Sequence, residues 1–163
     1  MKRIIVIGCP GSGKTTLAIK LGEKTGLPLY HLDAIWHRAD RTNISRADFD
    51  ARLAEILSRD EWIIDGNYSR TLELRLLACD TVILFDLPLE VCLDGVISRI
   101  GKKRCDMPWI ETELDPEFRA QIEQFRDKEL PSVYELIERH GKGKSIVIFK
   151  SRAEADEFIR QIS

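Results

Sequence analysis

Residues 4–15 constrain the fold of this chain more than any other stretch. Four β-branched residues, Ile4-Ile5-Val6-Ile7, run into Gly8-Cys9-Pro10-Gly11-Ser12-Gly13-Lys14-Thr15, and a helical pattern opens at Lys14. The spacing is G-x-x-x-x-G-K-[ST], in the strand–loop–helix setting that a phosphate-binding loop requires. The glycines let the backbone turn so that successive amides point inward at an anion, and the helix N-terminus adds the positive end of its dipole. Lys14 is placed to reach β- and γ-phosphates, and the Thr15 hydroxyl to ligate Mg²⁺. Gly8, Gly11, Ser12, Gly13, Lys14, Thr15 and Thr16 are therefore the candidate nucleotide-binding residues. The expected ligand is a nucleoside triphosphate, ATP with Mg²⁺.

The rest of the chain alternates apolar runs with helical spacing. After a helix over 14–25 ended by Gly26, Leu29-Tyr30-His31-Leu32 reads as a short strand reaching Asp33. Residues 34–44 read as irregular, and Ser45 with Asp48 opens a helix carrying Phe49, Leu53, Ile56 and Leu57. Trp62-Ile63-Ile64-Asp65 is a third strand, 71–78 a short helix, and Thr81-Val82-Ile83-Leu84-Phe85 a fourth strand. A helix over 88–100 gives way to a polar connection reaching Asp115. Asp115-Pro116 then caps a long amphipathic helix, which Pro131 is expected to kink or split. Ser145–Phe149 is a fifth strand, and Ser151 with Glu154 starts the last helix. Apolar strands alternating with helices mean a parallel sheet covered on both faces. Ligands of such sheets bind beyond the carboxyl ends of the strands, at the loop, Asp33, Asp65 and Asp86.

Composition excludes several classes. The 163 residues suit a single domain, 44% hydrophobic and 32% charged, with net charge −2. No apolar run approaches the ~20 residues of a membrane helix, and Met1-Lys2-Arg3-Ile4 enters a strand directly, so a cytoplasmic protein without a membrane partner is expected. Cys9, Cys79, Cys92 and Cys105 have no metal-like spacing. Cys79 and Cys92 fall in apolar patterns, and Cys9 is either oxidation-sensitive at a helix N-terminus or simply tolerated. His31, His37 and His140 show no ligand spacing either. The charge balance speaks against a general nucleic-acid binder.

Two carboxylates end long apolar strands and could hold Mg²⁺ beside the phosphates, Asp65 and Asp86. Asp86 can instead cap the helix that follows Pro88. Asp65, followed by Gly66, has no such cheap role and is preferred. Asp33 reads either as an acid that orients an acceptor hydroxyl or as a local cap.

Trp62-Ile63-Ile64-Asp65-Gly66-Asn67-Tyr68-Ser69-Arg70 resembles the strand-Asp-Gly-x-x-x-Arg segment of adenylate kinases and related nucleoside monophosphate kinases. Together with His31-Leu32-Asp33 and Asp86-Leu87-Pro88, it resembles more closely a bacterial adenylate-kinase-related group often labelled DNA topology modulation proteins. The resemblance implies a three-layer α/β P-loop NTPase fold, with a five-stranded parallel sheet and helices on both faces. It implies one domain over 1–163, with an acceptor-binding segment about 33–60 and a lid-like segment about 99–119. It further implies Asp65 at the Mg²⁺, Arg70 on a phosphate, and Arg99 as a lid arginine. Gly95 stands where adenylate kinases carry another arginine. Lys102, Lys103 and Arg104 either substitute for it or form a solvated run, and Arg119 and Arg126 either face the phosphates or are merely exposed. A strand-end acid like Asp33 resembles the one in kinases of small alcohols such as shikimate kinase. The implied activity is ATP-dependent phosphoryl transfer to a nucleotide, nucleoside or polyol, with Lys14, Asp33, Asp65, Arg70 and Arg99 as catalytic candidates. The alternative is a nucleotide-binding regulator or ATPase that acts on DNA.

Overall fold

The computed structural model describes all 163 residues. Five parallel strands, β1 (Arg3–Gly8), β2 (Leu29–His31), β3 (Trp62–Asp65), β4 (Thr81–Phe85) and β5 (Ser145–Phe149), lie in the order β2-β3-β1-β4-β5. The chain runs from β1 outward to β2, returns through β3 and then crosses β1 to β4 and β5, so the strand order reverses, and the crevice of this sheet opens, at the end of β1. Register places Asp65 beside both Val6 and His31, and Gly8 beside Phe85. Four strand ends are thereby brought to one edge. β1, β3 and β4 are buried on both faces, which is why their sequences are continuously apolar rather than alternating.

Helices cover both faces. α1 (Lys14–Thr25) packs with α8 (Arg152–Gln161), and α4 (Ser69–Ala78) with α7 (Leu130–His140). α3 (Arg46–Leu57) starts where Ser45 Oγ accepts from the Asp48 amide, and α8 where Ser151 Oγ accepts from Glu154. α6 (Pro116–Gln124) starts on Asp115, whose Oδ1 accepts from the Glu117 amide. Each such cap supplies an acceptor to a helix-end amide, worth about 1 kcal/mol. α1 ends at Gly26, at φ 74. The core unites β1, β3 and β4 with Leu17, Leu21, Leu72, Leu76 and Ile137, and Trp62 is fully enclosed. Truncating Leu84 to Ala there would cost about 2–5 kcal/mol. No helix is long and apolar enough to cross a membrane.

Two local expectations are corrected. β2 stops at His31, and a short helix, α2 (Leu32–Trp36), occupies part of the stretch expected to be irregular. The cause is packing: Leu32 is completely buried and touches Gly66, which turns the chain inward immediately after the strand. The long helix is interrupted not at Pro131 but just before it. Between α6 and α7, Phe125–Glu129 form a π-helical turn in which the Leu130 amide donates to Phe125 O. Pro131 has no amide to return to residue 127 and its ring would press on that carbonyl, so the wider turn takes up the conflict.

Candidate functional site

The loop after β1 wraps a concavity of about 420 Å³ lined by residues 11–17, Phe85, Gly95, Arg99 and Arg152 among others. The amides of Gly13, Lys14, Thr15 and Thr16 donate to nothing within the chain, and the first turn of α1 carries no acid. Four free donors at a helix N-terminus favour an anion. Ser12 is fully enclosed with its hydroxyl unpartnered. Thr16 is exposed at the rim. Lys14 Nζ donates to Cys9 O at 3.2 Å, folded back on its own loop. Burial lowers the Lys14 pKa, an effect opposed by the charges of Asp65 and Asp33.

Close approach fixes this loop against α5 (Leu89–Ser98). A Cβ on Gly11 would stand 2.1 Å from Cys92 O, and one on Gly95 2.0 Å from Gly11 O. The missing arginine at position 95 has a steric reason: the loop backbone occupies its space. Arg152, at the start of α8, donates to Gly11 O at 2.8 Å and to Val91 O at 3.3 Å, tying loop, α5 and α8 together. Cys9 is buried, and its thiol is pushed far above the ordinary range by a hydrogen bond with Cys92 and by burial. That is the opposite of an activated thiol.

Beside the loop, Thr15 Oγ1 donates to Asp65 Oδ2 at 2.7 Å, and His31 Nδ1 approaches the same oxygen at 2.8 Å. Burial alone would lower the His31 pKa, but the hydrogen bond and charge of Asp65, with Asp106 and Asp33 behind, raise it. A hydroxyl and a carboxylate in contact are hard oxygen donors, the set that suits Mg²⁺. No group of three or more His, Cys, Asp or Glu side chains could hold a metal alone. Mg²⁺ typically takes only one or two protein carboxylates and completes its shell with phosphate oxygens and water.

Asp86 is differently engaged. Arg126 Nη1 donates to it at 2.8 Å, Tyr134 OH at 2.6 Å, and Lys150 Nζ closes the group. Burial would raise its pKa, but Lys150, Tyr134 and Arg126 outweigh that and hold it below the ordinary carboxylate value. It caps nothing, because α5 starts on Pro88 without a side-chain cap. Asp86 thus anchors the α6–α7 helix and the end of β5 to the sheet, and Arg126 is spent on that anchor.

A second cavity of about 470 Å³ adjoins the first, lined by Asp33, Arg41, Arg99, Arg104, Trp109 and Phe118 among others. Arg99 lines both cavities. Its Nε is buried without a partner, it makes no ion pair, and burial followed by the charge of Arg104 lowers its pKa. Asp33 Oδ1 accepts from Tyr68 OH at 2.6 Å, leaving Oδ2 free. Burial, then the Asp33 charge, pushes the Tyr68 phenol upward, so it stays a donor.

The structure therefore brings Gly8, Gly11, Ser12, Gly13, Lys14, Thr15, Thr16, Asp33, Asp65 and Arg99 to one edge of the sheet. It does not bring Arg70 there. That guanidinium clasps Asp50 at 2.7 and 3.1 Å and lines a separate hollow with Trp36 and Phe49. Lys102 and Lys103 are exposed without partners, whereas Arg104 is held by Asp106 at 2.6 Å and Glu111 at 3.3 Å. Arg119 pairs with Glu123 on the exposed face of α6. Trp36 and Tyr68 pack against Phe49. Sequence reading missed His31, Asn67, Arg75 and Arg152. The signal for Asn67 lay in its place two residues after a strand-end acid; a buried arginine on a helix leaves none.

No protein-family model and no curated protein matches the chain. Among solved structures, a shikimate kinase from Acinetobacter baumannii in complex with shikimate superimposes with TM-score 0.65 at 17% identity, over 99% of this chain and 90% of that one. A shikimate kinase from Bacteroides thetaiotaomicron gives 0.61 at 17%, over 98% and 95%. A sugar kinase from Janibacter sp. gives 0.54 at 18%, over 99% and 91%. At such identities the likeness establishes the fold alone: a shikimate kinase-like parallel five-stranded sheet between helices.

Proposed function

We propose that this chain transfers the γ-phosphoryl group of ATP to a hydroxyl of a small molecule held in the second cavity. The observation that carries the reading is Arg99, an unpaired guanidinium shared by two adjoining cavities, one headed by the phosphate loop and the other by a carboxylate. The fold neighbours, shikimate kinases and a sugar kinase, are named for the same class of reaction.

In this reading the free amides of residues 13–16 hold the β- and γ-phosphates, and Lys14 leaves Cys9 O to join them. Thr15 and Asp65 hold Mg²⁺, which when bound offsets phosphate charge during transfer. His31 keeps the Asp65 carboxylate turned toward Thr15. Asp33 Oδ2 accepts the proton of the attacking hydroxyl while Tyr68 fixes Oδ1. Arg99 stabilises charge on the phosphoryl group as it passes between the cavities. Closure of the 99–119 segment over the pair would exclude water, which otherwise diverts ATP to hydrolysis. The acceptor is an alcohol, because an acid at the acceptor end serves a hydroxyl and repels a phosphate. Arg70 has no part in it.

The DNA-directed alternative gains no supporting observation, and a net charge of −2 is not the overall basic excess of a general nucleic-acid binder. The test is a screen of polyols, nucleosides and nucleotides with MgATP, reading ADP release and phosphorylated product. Acceptor-stimulated turnover is expected; ADP release at one background rate with every acceptor would overturn the reading.

A further inference from the structure

The three residues after β3, Gly66-Asn67-Tyr68, are bonded both to the start of the phosphate loop and to Asp33, which lines the second cavity. Asn67 Oδ1 accepts from the Gly8 amide at 2.9 Å, where the phosphate loop leaves β1. Tyr68 OH donates to Asp33, at the head of the second cavity. This loop is not relaxed. Tyr68 sits at φ 38, a left-handed conformation unfavourable for a non-glycine residue.

Arg75, on the inner face of α4, holds it. The residue is fully buried. Nη1 donates to Gly66 O at 2.9 Å, Nη2 to Asn67 O and to Tyr68 O at 3.0 Å, and Nε to Thr71 Oγ1 at 3.2 Å. No carboxylate pairs with it. A buried cation lacking a counter-ion is costly, and an apolar side chain of similar size would serve stability as well or better. What an apolar residue cannot do is bind three consecutive carbonyls with one planar fork. Burial lowers the Arg75 pKa to about 10, which leaves it charged at neutral pH.

We propose that Arg75 is a positioning residue that sets the phosphate loop and the Asp33 carboxylate relative to each other through the 66–68 loop, without touching either ligand. The proposal rests on the phosphoryl-transfer reading for its acceptor arm, while its donor arm is independent of it. One rigid loop carries both arms, so a shift of the loop misplaces donor and acceptor together, and a 1 Å error can cost on the order of 100-fold.

The test is a pair of double-mutant cycles. Tyr68→Phe cuts the acceptor arm and is expected to lower kcat with MgADP affinity unchanged. Asn67→Ala cuts the donor arm and is expected to weaken MgADP binding, measured by calorimetry. Arg75→Lys keeps the charge but not the fork, and is expected to do both, lowering kcat about tenfold or more. The decisive results are the combinations: adding Tyr68→Phe to Arg75→Lys should lower kcat no further, and adding Asn67→Ala should weaken MgADP no further. Losses that multiply in both cycles, or an Arg75→Lys protein unchanged in both readouts, overturn the proposal. Should Arg75→Lys not fold, Thr71→Val removes only the Nε acceptor and its own bond to Tyr68 O, and must show the same two-sided loss at smaller size; no loss overturns it. If the parent protein binds MgADP but phosphorylates no acceptor, the functional reading fails, and the donor arm is still decided by the binding cycle.

Discussion

One methyl group added at Gly95 would show how the phosphate loop is held. The Cβ of Gly95→Ala would stand 2.0 Å from Gly11 O and 2.6 Å from Arg152 Nη2, distances no real contact sustains. Either α5 and the loop part by about 1 Å, or the loop rotates and Gly11 O gives up its bond from Arg152. Overpacking of this kind costs about 1–3 kcal/mol. Replacing glycine within a helix returns about 0.5–1 kcal/mol. A net loss of up to about 2.5 kcal/mol in a chain of this length lowers the melting temperature by up to about 10 °C. The larger effect falls on the ligand. A displaced Gly11 peptide misaligns the amides that follow it, and one hydrogen bond lost to a charged phosphate is worth about 1.5–3 kcal/mol. MgADP affinity should therefore fall on the order of tenfold or more. Calorimetric titration with MgADP and a thermal melt without ligand measure the two effects separately. A variant that binds MgADP within twofold of the parent and melts no lower would refute the locked contact.

Three further outcomes are expected. Lys14→Ala should melt within about 2 °C of the parent, since the side chain makes only the bond to Cys9 O, while ATP turnover falls on the order of 100-fold or more. Asp33→Asn should lower kcat by about 100-fold with MgATP affinity within twofold, because the amide oxygen still accepts from Tyr68 but takes no proton; equal loss of both would place Asp33 on the nucleotide side. Asp86 has its pKa depressed in the folded protein, so its contribution to stability is full above the unfolded value near 3.8 and disappears as pH falls through the lower folded value. Melting temperature should then drop steeply below about pH 4. Asp86→Asn should flatten that limb and cost about 1–3 kcal/mol at neutral pH, less than a fully enclosed pair because Arg126 and Lys150 are half-exposed.

What was legible in the sequence follows from which forces are local. Ile4–Ile7 and Thr81–Phe85 read as central strands because burial on both faces demands unbroken apolar character. Ser45, Asp115 and Ser151 read as caps because the cap lies within three residues of the amide it serves. The loop residues and Asp65 followed from spacing and from the position of strand ends. Where non-local packing decides, pattern was silent. A helix at Leu32–Trp36 depends on Leu32 finding Gly66, more than thirty residues away. Arg70 and Arg75 lie on the same helix, and the resemblance of Asp65-Gly66 to Arg70 to an adenylate kinase segment pointed to the first. The structure gives Arg70 to a surface acid and Arg75 to the interior. Gly95 looked like a lost arginine until the chain beside it was seen.

The π-helical turn at Phe125–Glu129 has a consequence for how the second cavity is built. The inward apolar positions run 118, 122, 125 on one side and 130, 133, 137 on the other, a step of five where a continuous helix would take three or four. One surplus residue therefore separates two phases, each obeying its own face. An α-helix rotates about 100° per residue, so the angle that α6 presents to the cavity is set by a residue count. Removing a single solvent-facing position such as Lys128 would shorten that step to the four of a regular helix and leave both inward faces in line, whereas an α-helical turn that kept the residue would rotate every side chain of α6 about a quarter of a turn against the sheet. In the second case Phe118 would leave the cavity wall and Arg126 would leave Asp86, while Val133 and Ile137 stayed in place. The width of this turn, more than the chemistry of the residues in it, aims the α6 wall of the second cavity.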